Sequence, residues 1–322
     1  MPLSVSNKTH KPGRSSSAAA AGASHHFLRL VRRVRASGSL RTAVVHPVDA
    51  LSLGGAIEAA RAKLIVPVLV GPEPKIRAAA RQASVDLGSY ECVWTEHSHA
   101  AAAESAVLAG GHKVDALMKG SLHTDEFMSA ILAEPRLRTA RRMSHVFVID
   151  APAYPRLLLV TDAAVNIYPT LEAKVDIVQN AIGLAHALGT KTPRVAILSA
   201  VETVSPKIVS TLDAAVLCKM AERGQITGGI VDGPLAFDNA VSLEAARTKG
   251  IRSPVAGRAD ILVVPDLEAG NMLAKQLEYL AGAQIAGIVL GAHVPIILTS
   301  RADESASRLA SCAIALMLAR PG

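Results

Sequence analysis

Ligands of open α/β sheets collect at the C-terminal ends of strands, so polar residues that directly follow short apolar runs are the ones placed to do chemistry. Four such places occur. The first is Asp115-Ala-Leu-Met-Lys119-Gly-Ser121-Leu-His123-Thr124, where Lys119 and Ser121 are suited to steadying phosphate oxygens or a carbonyl; Arg141, Arg142, Ser144 and His145 follow downstream. His123 has no Asp, Glu or Cys at metal-ligand spacing and reads as a structural or solvent-facing residue. The second is Gly228-Gly-Ile-Val-Asp232-Gly-Pro-Leu-Ala-Phe237-Asp238-Asn239, whose Asp-Gly-Pro turn explains Asp232 on conformational grounds alone.

The third is Asp260-Ile-Leu-Val-Val-Pro265-Asp266-Leu-Glu268-Ala-Gly270-Asn271-Met-Leu-Ala-Lys275. Asp266 and Glu268 suit a helix N-terminus as dipole partners, while Asn271 and Lys275 lie four apart, on one helical face able to hold a polyanion. The fourth is Val294-Pro-Ile-Ile-Leu-Thr299-Ser300-Arg301-Ala302-Asp303-Glu304, a buried strand running into an amphipathic helix. Ser300-x-x-Asp303 fits a capping box, and the same arrangement of free N–H groups, positive dipole end and Arg301 makes an anion site suited to phosphate.

The elements that must position these residues alternate along the chain. Short β-branched runs at 42–45, 66–70, 92–95, 116–119 and 145–149 are separated by helical periods such as 50–62, 73–83 and 100–109; the second half continues with strands at 157–161, 195–199, 229–231, 261–264, 286–290 and 295–299 and helices at 176–188, 206–222, 269–281 and 302–318. This alternation predicts a parallel sheet covered by helices on both faces. A chain of 322 residues exceeds one ordinary core, and the prolines of 151–155 mark a junction between two domains.

Composition narrows the partners. Of 34 Lys and Arg, eight fall within residues 1–41, which contain no Asp or Glu, so the other 26 face 27 acids and the body is near neutral. With aromatics at 3%, there is little to stack on bases, and no nucleic-acid partner is expected. No apolar run approaches the ~20 residues that span a bilayer, so no membrane partner is expected either. Cys92, Cys218 and Cys312, odd in number and widely separated, form neither a disulfide framework nor a CxxC site and suit inert packing in a reducing cytoplasm. Residues 1–24, Ser- and Ala-rich and basic, read as a disordered tail.

Taken in order, Met118-Lys-Gly, Asp232-Gly-Pro-Leu-Ala-Phe-Asp, Pro265-Asp-x-x-Ala-Gly-Asn and Thr299-Ser-Arg-Ala-Asp resemble the phosphate acetyl/butyryl transferase family, with the resemblance running from about residue 27 to the C-terminus. It implies two three-layer α/β domains with a cleft between them, isocitrate/isopropylmalate dehydrogenase-like, the first formed by 25–150 plus 295–322 and the second by 151–294. It implies a homodimer, acyl-CoA and inorganic phosphate as substrates, no metal, no prosthetic cofactor, and direct attack of the coenzyme A thiolate on an acyl phosphate. Acetyl is expected over butyryl as the acyl group.

In this likeness Ser300, Arg301 and Asp303 are the catalytic candidates. Asp303 takes the thiol proton, with Glu304 or a water as alternatives; Arg301 holds the leaving phosphate; Ser300 bonds the sulfur or the oxyanion. Lys119, Ser121, Asp232, Asp266, Asn271 and Lys275 are the substrate-binding candidates. The chain departs from acetyl-type members at Ser307, where they carry an aspartate, and at Ala274, where a tyrosine often stands. Two other readings stay open: a nicotinamide- and metal-dependent dehydrogenase of the same architecture, although the sequence has no GxGxxG fingerprint or metal cluster, and a non-catalytic sensor of acyl phosphate or coenzyme A.

Overall fold

The computed structural model describes residues 25–34, 36–298 and 305–320. The expected tail at 1–24 and the candidates Ser300, Arg301, Asp303 and Glu304 lie outside the described residues.

All eleven sequence-predicted strands are present, most with bounds shifted by one or two residues. They are β1 (Leu40–Val45), β2 (Ile65–Gly71), β3 (Glu91–Trp94), β4 (Ala116–Lys119), β5 (Ser144–Asp150), β6 (Leu158–Thr161), β7 (Arg194–Leu198), β8 (Ile230–Leu235), β9 (Ile261–Val263), β10 (Gln284–Leu290) and β11 (Ile296–Ile297). The helices of the first half are α1 (His25–Arg33), α2 (Ala50–Arg61), α3 (Glu73–Ala83), α4 (Ser98–Gly110) and α5 (Thr124–Ala133). Those of the second are α6 (Leu171–Ala187), α7 (Val209–Glu222), α8 (Phe237–Val241), α9 (Leu243–Thr248), α10 (Leu267–Ala281) and α11 (Ser305–Ala319). Sequence reading did not single out α1, α5, α8 or α9; the last two, at five and six residues, are too short to show a period.

The strands join in one sheet, ordered β3-β2-β1-β4-β11-β10-β5-β6-β9-β7-β8. The expectation of a purely parallel sheet is corrected at its centre, where β10 runs antiparallel to both β11 and β5, and β5 antiparallel to β6. The physical reason is the connection lengths: the short turn at 151–157, which contains the two prolines read as a junction, and the short link between β10 and β11 leave no room for the crossover a parallel pair needs. Strands β6, β9, β7 and β8 therefore run opposite to β1 to β4.

Alternation along the strands divides the core. Val44, Leu69, Met118, Ile297, Ile288, Val146, Leu159, Val263 and Ile197 feed one continuous cluster, covered by α1, α2, α3, α6, α7 and α11. On the other face there are two clusters. One joins Val45, Val70, Leu117, Ile296 and Val289 to α4 and α5; the other joins Ile149, Val160, Ala196 and Leu262 to α8, α9 and α10. Phe147 of β5, the register partner of Gly287 of β10, packs against the second of these.

Helix α1 is fastened to the centre of the sheet through one carboxylate. Asp150, 2% exposed at the end of β5, accepts from the backbone N–H groups of His26 and Phe27 at 3.1 and 3.3 Å and lies 3.0 Å from His26 Nδ1. It thereby satisfies donors that a helix start leaves unpaired. Asp150→Ala is expected to lower unfolding stability by about 1–3 kcal/mol, measured by urea denaturation; a change under about 0.5 kcal/mol, the usual scatter of neutral surface changes, would show that α1 docks by apolar contact alone.

Candidate active site

The strand order changes direction at β1. From β1 the chain builds outward to β2 and β3, then returns to place β4 on the other side of β1. The C-terminal ends of β1 and β4 consequently flank a topological switch point, the crevice where open sheets hold ligands.

Lys119, the last residue of β4, is 7% exposed, and Ser121 follows it half-buried. Gly120 donates to the Val45 carbonyl and Ser121 to the His46 carbonyl, both at 2.9 Å, so the turn after β4 is stitched to the turn after β1. A Cβ on Gly120 would lie 2.3 Å from Val45 O and 2.9 Å from His46 O, which is why only glycine lets the two turns meet. Asp49 caps α2 by accepting from Ser52 N at 2.8 Å. Burial pushes its carboxyl upward, but the hydrogen bonds of Ser121 and Ser52 outweigh this and hold it below the usual aspartate value. The switch point thus gathers His46, Asp49, Lys119 and Ser121. Sequence reading named the last two and missed the first two, although His46 follows the apolar run 42–45 and the same strand-end rule applies to it.

A second group forms around α10. Asp266 caps this helix, accepting from Ala269 N at 2.8 Å, which is the dipole-partner role its sequence position suggested. Asn271 donates to Ala163 O at 3.3 Å, Lys275 pairs with Glu278 at 2.7 Å, and the Lys275 ammonium lies 5.7 Å from the Tyr279 ring. Gly270 allows the close approach to the turn after β6, since a Cβ there would stand 2.7 Å from Val264 Cγ2 and 3.1 Å from Asp162 O. Asp162 organises that turn by accepting from Ala164, Val165 and Asn166. Because β9 runs opposite to β4, Asp266 and Lys119 leave the sheet at opposite edges. Asp232 lies further off, on the outermost strand β8, where it accepts from Gly233 N at 2.9 Å.

The two departures from the acetyl-type pattern have a packing basis. Ser307 is 5% exposed in α11, with its carbonyl accepting from Ser311 Oγ at 3.0 Å, and a carboxylate in that place would be buried. Ala274 is 0% exposed in the core beneath α10, so a tyrosine ring in that place would start from a buried position. Burial pushes the Cys218 and Cys312 thiols up to about 12 and raises Cys92 as well, so the cysteines are protonated packing residues. Among the described residues no three His, Cys, Asp or Glu side chains converge as a metal site would require.

His145 of β5, another residue beyond the candidate set, is fully buried with neither ring nitrogen partnered among the described residues and its ring edge-on to Phe147 at 4.3 Å. Burial drives its pKa down to about 4, against the opposing pull of the Asp162 carboxylate. An unfolded chain takes up this proton below about pH 6.5, whereas the folded one resists it until about pH 4. The contribution is therefore complete above pH 6.5 and is lost as pH falls towards 4, by on the order of 3 kcal/mol. Urea unfolding from pH 7 to pH 4 is expected to show this loss in the wild type and a flatter profile in His145→Leu; parallel profiles would refute it.

Residues 99–316 match the family described as Phosphate acetyl/butaryl transferase. Over 292 residues the chain is 62% identical to a phosphate acetyltransferase of Rhizobium meliloti, covering 90% of this chain and 92% of the relative. It is 40% identical over 294 residues to a phosphate butyryltransferase of Clostridium acetobutylicum, covering 91% and 98%. Among solved structures, a branched-chain phosphotransacylase from Enterococcus faecalis V583 superposes with a TM-score of 0.75 at 29% identity, covering 87% of this chain and 99% of that one. The chain belongs to the phosphate acetyl/butyryl transferase family.

Proposed function

We propose that this protein transfers an acyl group between coenzyme A and inorganic phosphate, acyl-CoA + phosphate = acyl phosphate + CoA, with acetyl preferred over butyryl. The observation that carries the reading is the 62% identity to a phosphate acetyltransferase along 90% of the chain; the lower identity to a butyryltransferase supports the acyl preference.

In this reading the reaction runs in a ternary complex. The CoA thiol loses its proton to Asp303, the thiolate attacks the acyl phosphate carbonyl, Arg301 takes the growing charge of the leaving phosphate, and Ser300 bonds the oxyanion or the sulfur. Lys119 and Ser121 at the switch point hold phosphate oxygens. Asn271 and Lys275, with Asp266 fixing the start of their helix, face the polyanionic part of coenzyme A, and Asp232 borders the substrate. Coenzyme A is a substrate, and no prosthetic cofactor takes part.

The two clusters on one sheet face, set against a single cluster on the other, support a cleft between two α/β halves, 25–150 plus 295–322 and 151–294, in the manner of isocitrate/isopropylmalate dehydrogenases. The protein acts as a cytoplasmic homodimer. In support of a non-membrane setting, no helix among the described residues is long and apolar enough to cross a bilayer.

Phosphate-dependent release of free thiol from acetyl-, propionyl- and butyryl-CoA tests the reading. Rates are expected to fall in that order, and Arg301→Ala is expected to lower kcat by about 10²–10³. No release from any donor by folded protein would sink the activity, and an Arg301→Ala variant at the wild-type rate would remove Arg301 from the mechanism.

A further inference from the structure

One polar atom at the switch point has no partner among the described residues. His46, the first residue after β1, is held at φ 55, a left-handed backbone conformation that costs a side-chain-bearing residue about 1–3 kcal/mol. Its Nδ1 lies 2.9 Å from the Ser121 carbonyl. A carbonyl can only accept, so Nδ1 carries the proton, and in the tautomer this bond selects Nε2 offers a lone pair. His46 is 7% exposed, and Nε2 is shielded from water with no hydrogen-bond partner among the described residues. An acceptor left in that condition costs about 1–3 kcal/mol. The cost is recovered when a donor reaches Nε2.

The surroundings fix where that donor must come. The ring backs onto Gly71, where a Cβ would stand 3.4 Å from His46 Cα and 3.8 Å from Cδ2, and the His46 carbonyl is tied to Ser121 N. In register with Val45, one residue before His46, stands Lys119. A lone-pair acceptor and a cation therefore belong to the two turns that are stitched together at the switch point, a combination matched to an anion that also carries a proton.

We propose that His46 is a specificity-determining residue for phosphate: its Nε2 accepts the P–OH hydrogen of protonated inorganic phosphate, with Lys119 on the side of the charged oxygens. This rests on the reading of the chain as a phosphate acyltransferase. Sulfate has the same tetrahedral shape and no proton at neutral pH, so it presents lone pairs to the Nε2 lone pair and is rejected. The left-handed backbone and the Ser121 bond serve this arrangement by fixing which nitrogen faces the anion.

The test is steady-state kinetics of thiol release from acetyl-CoA, varying phosphate and acetyl-CoA separately and adding sulfate at constant ionic strength. It uses the full chain and the variants His46→Gln and His46→Asn; asparagine is among the residues best tolerated in a left-handed backbone. Wild type is expected to be insensitive to sulfate. In folded variants the KM for phosphate is expected to rise at least about ten-fold, the energetic equivalent of one hydrogen bond, with the KM for acetyl-CoA unchanged and sulfate becoming competitive with phosphate. An unchanged phosphate KM and sulfate response in either folded variant would overturn the assignment. Sulfate that competes with phosphate in the wild type would overturn it even if neither variant folds. A wild type without phosphate-dependent release would remove the activity reading and this proposal together, whereas an active wild type with unaltered variants removes His46 alone.

Discussion

The ladder between β5 and β10 pairs seven residues of each strand, from Gln284 with Asp150 to Leu290 with Ser144, and the rest of the molecule is arranged about it. Both strands are bonded on two sides, β10 to β11 and β5 to β6, so the parallel strands of the first half and those of the second belong to one hydrogen-bonded sheet. The antiparallel pairs at this centre reverse strand direction, and the reversal decides where polar residues emerge: Lys119 and Ser121 at one edge, the start of α10 at the other. Asp150, at the end of the same ladder, receives α1.

The two faces of the sheet answer this arrangement differently. On one, α6 and α11 contribute to a single core that runs across both halves, and nothing there separates them. On the other, α4 and α5 cover one end and α8 to α10 the other, as two separate clusters. In the proposed reaction, a sheet with one continuous core and a divided opposite face gives the two substrates a common floor.

Strand positions were readable from sequence because runs such as 66–70 and 286–290 are short, β-branched and bounded by Gly or Pro. Their direction was not, because a buried parallel strand and a buried antiparallel one have the same apolar composition; the brevity of the 151–157 turn and of the link from β10 to β11 carried the information. Asp266 was legible as a helix partner because capping is local chemistry. His46, Asp49 and His145 were not singled out, since contacts that set them apart come from residues distant in the chain: Ser121 for the first two and Gly287 for the third. The order of four motifs identified the family where no single motif did, because each motif alone has an ordinary explanation in turns, caps or dipoles.

Direct transfer between coenzyme A and phosphate is the central claim, and phosphorus NMR of the protein with acetyl-CoA and inorganic phosphate tests it most directly. The account predicts a growing acetyl phosphate resonance matched one for one by free coenzyme A, with initial rates that fit a sequential, ternary-complex pattern. Free coenzyme A released without acyl phosphate, or acyl phosphate formed with the parallel-line kinetics of an acyl-enzyme, would contradict it.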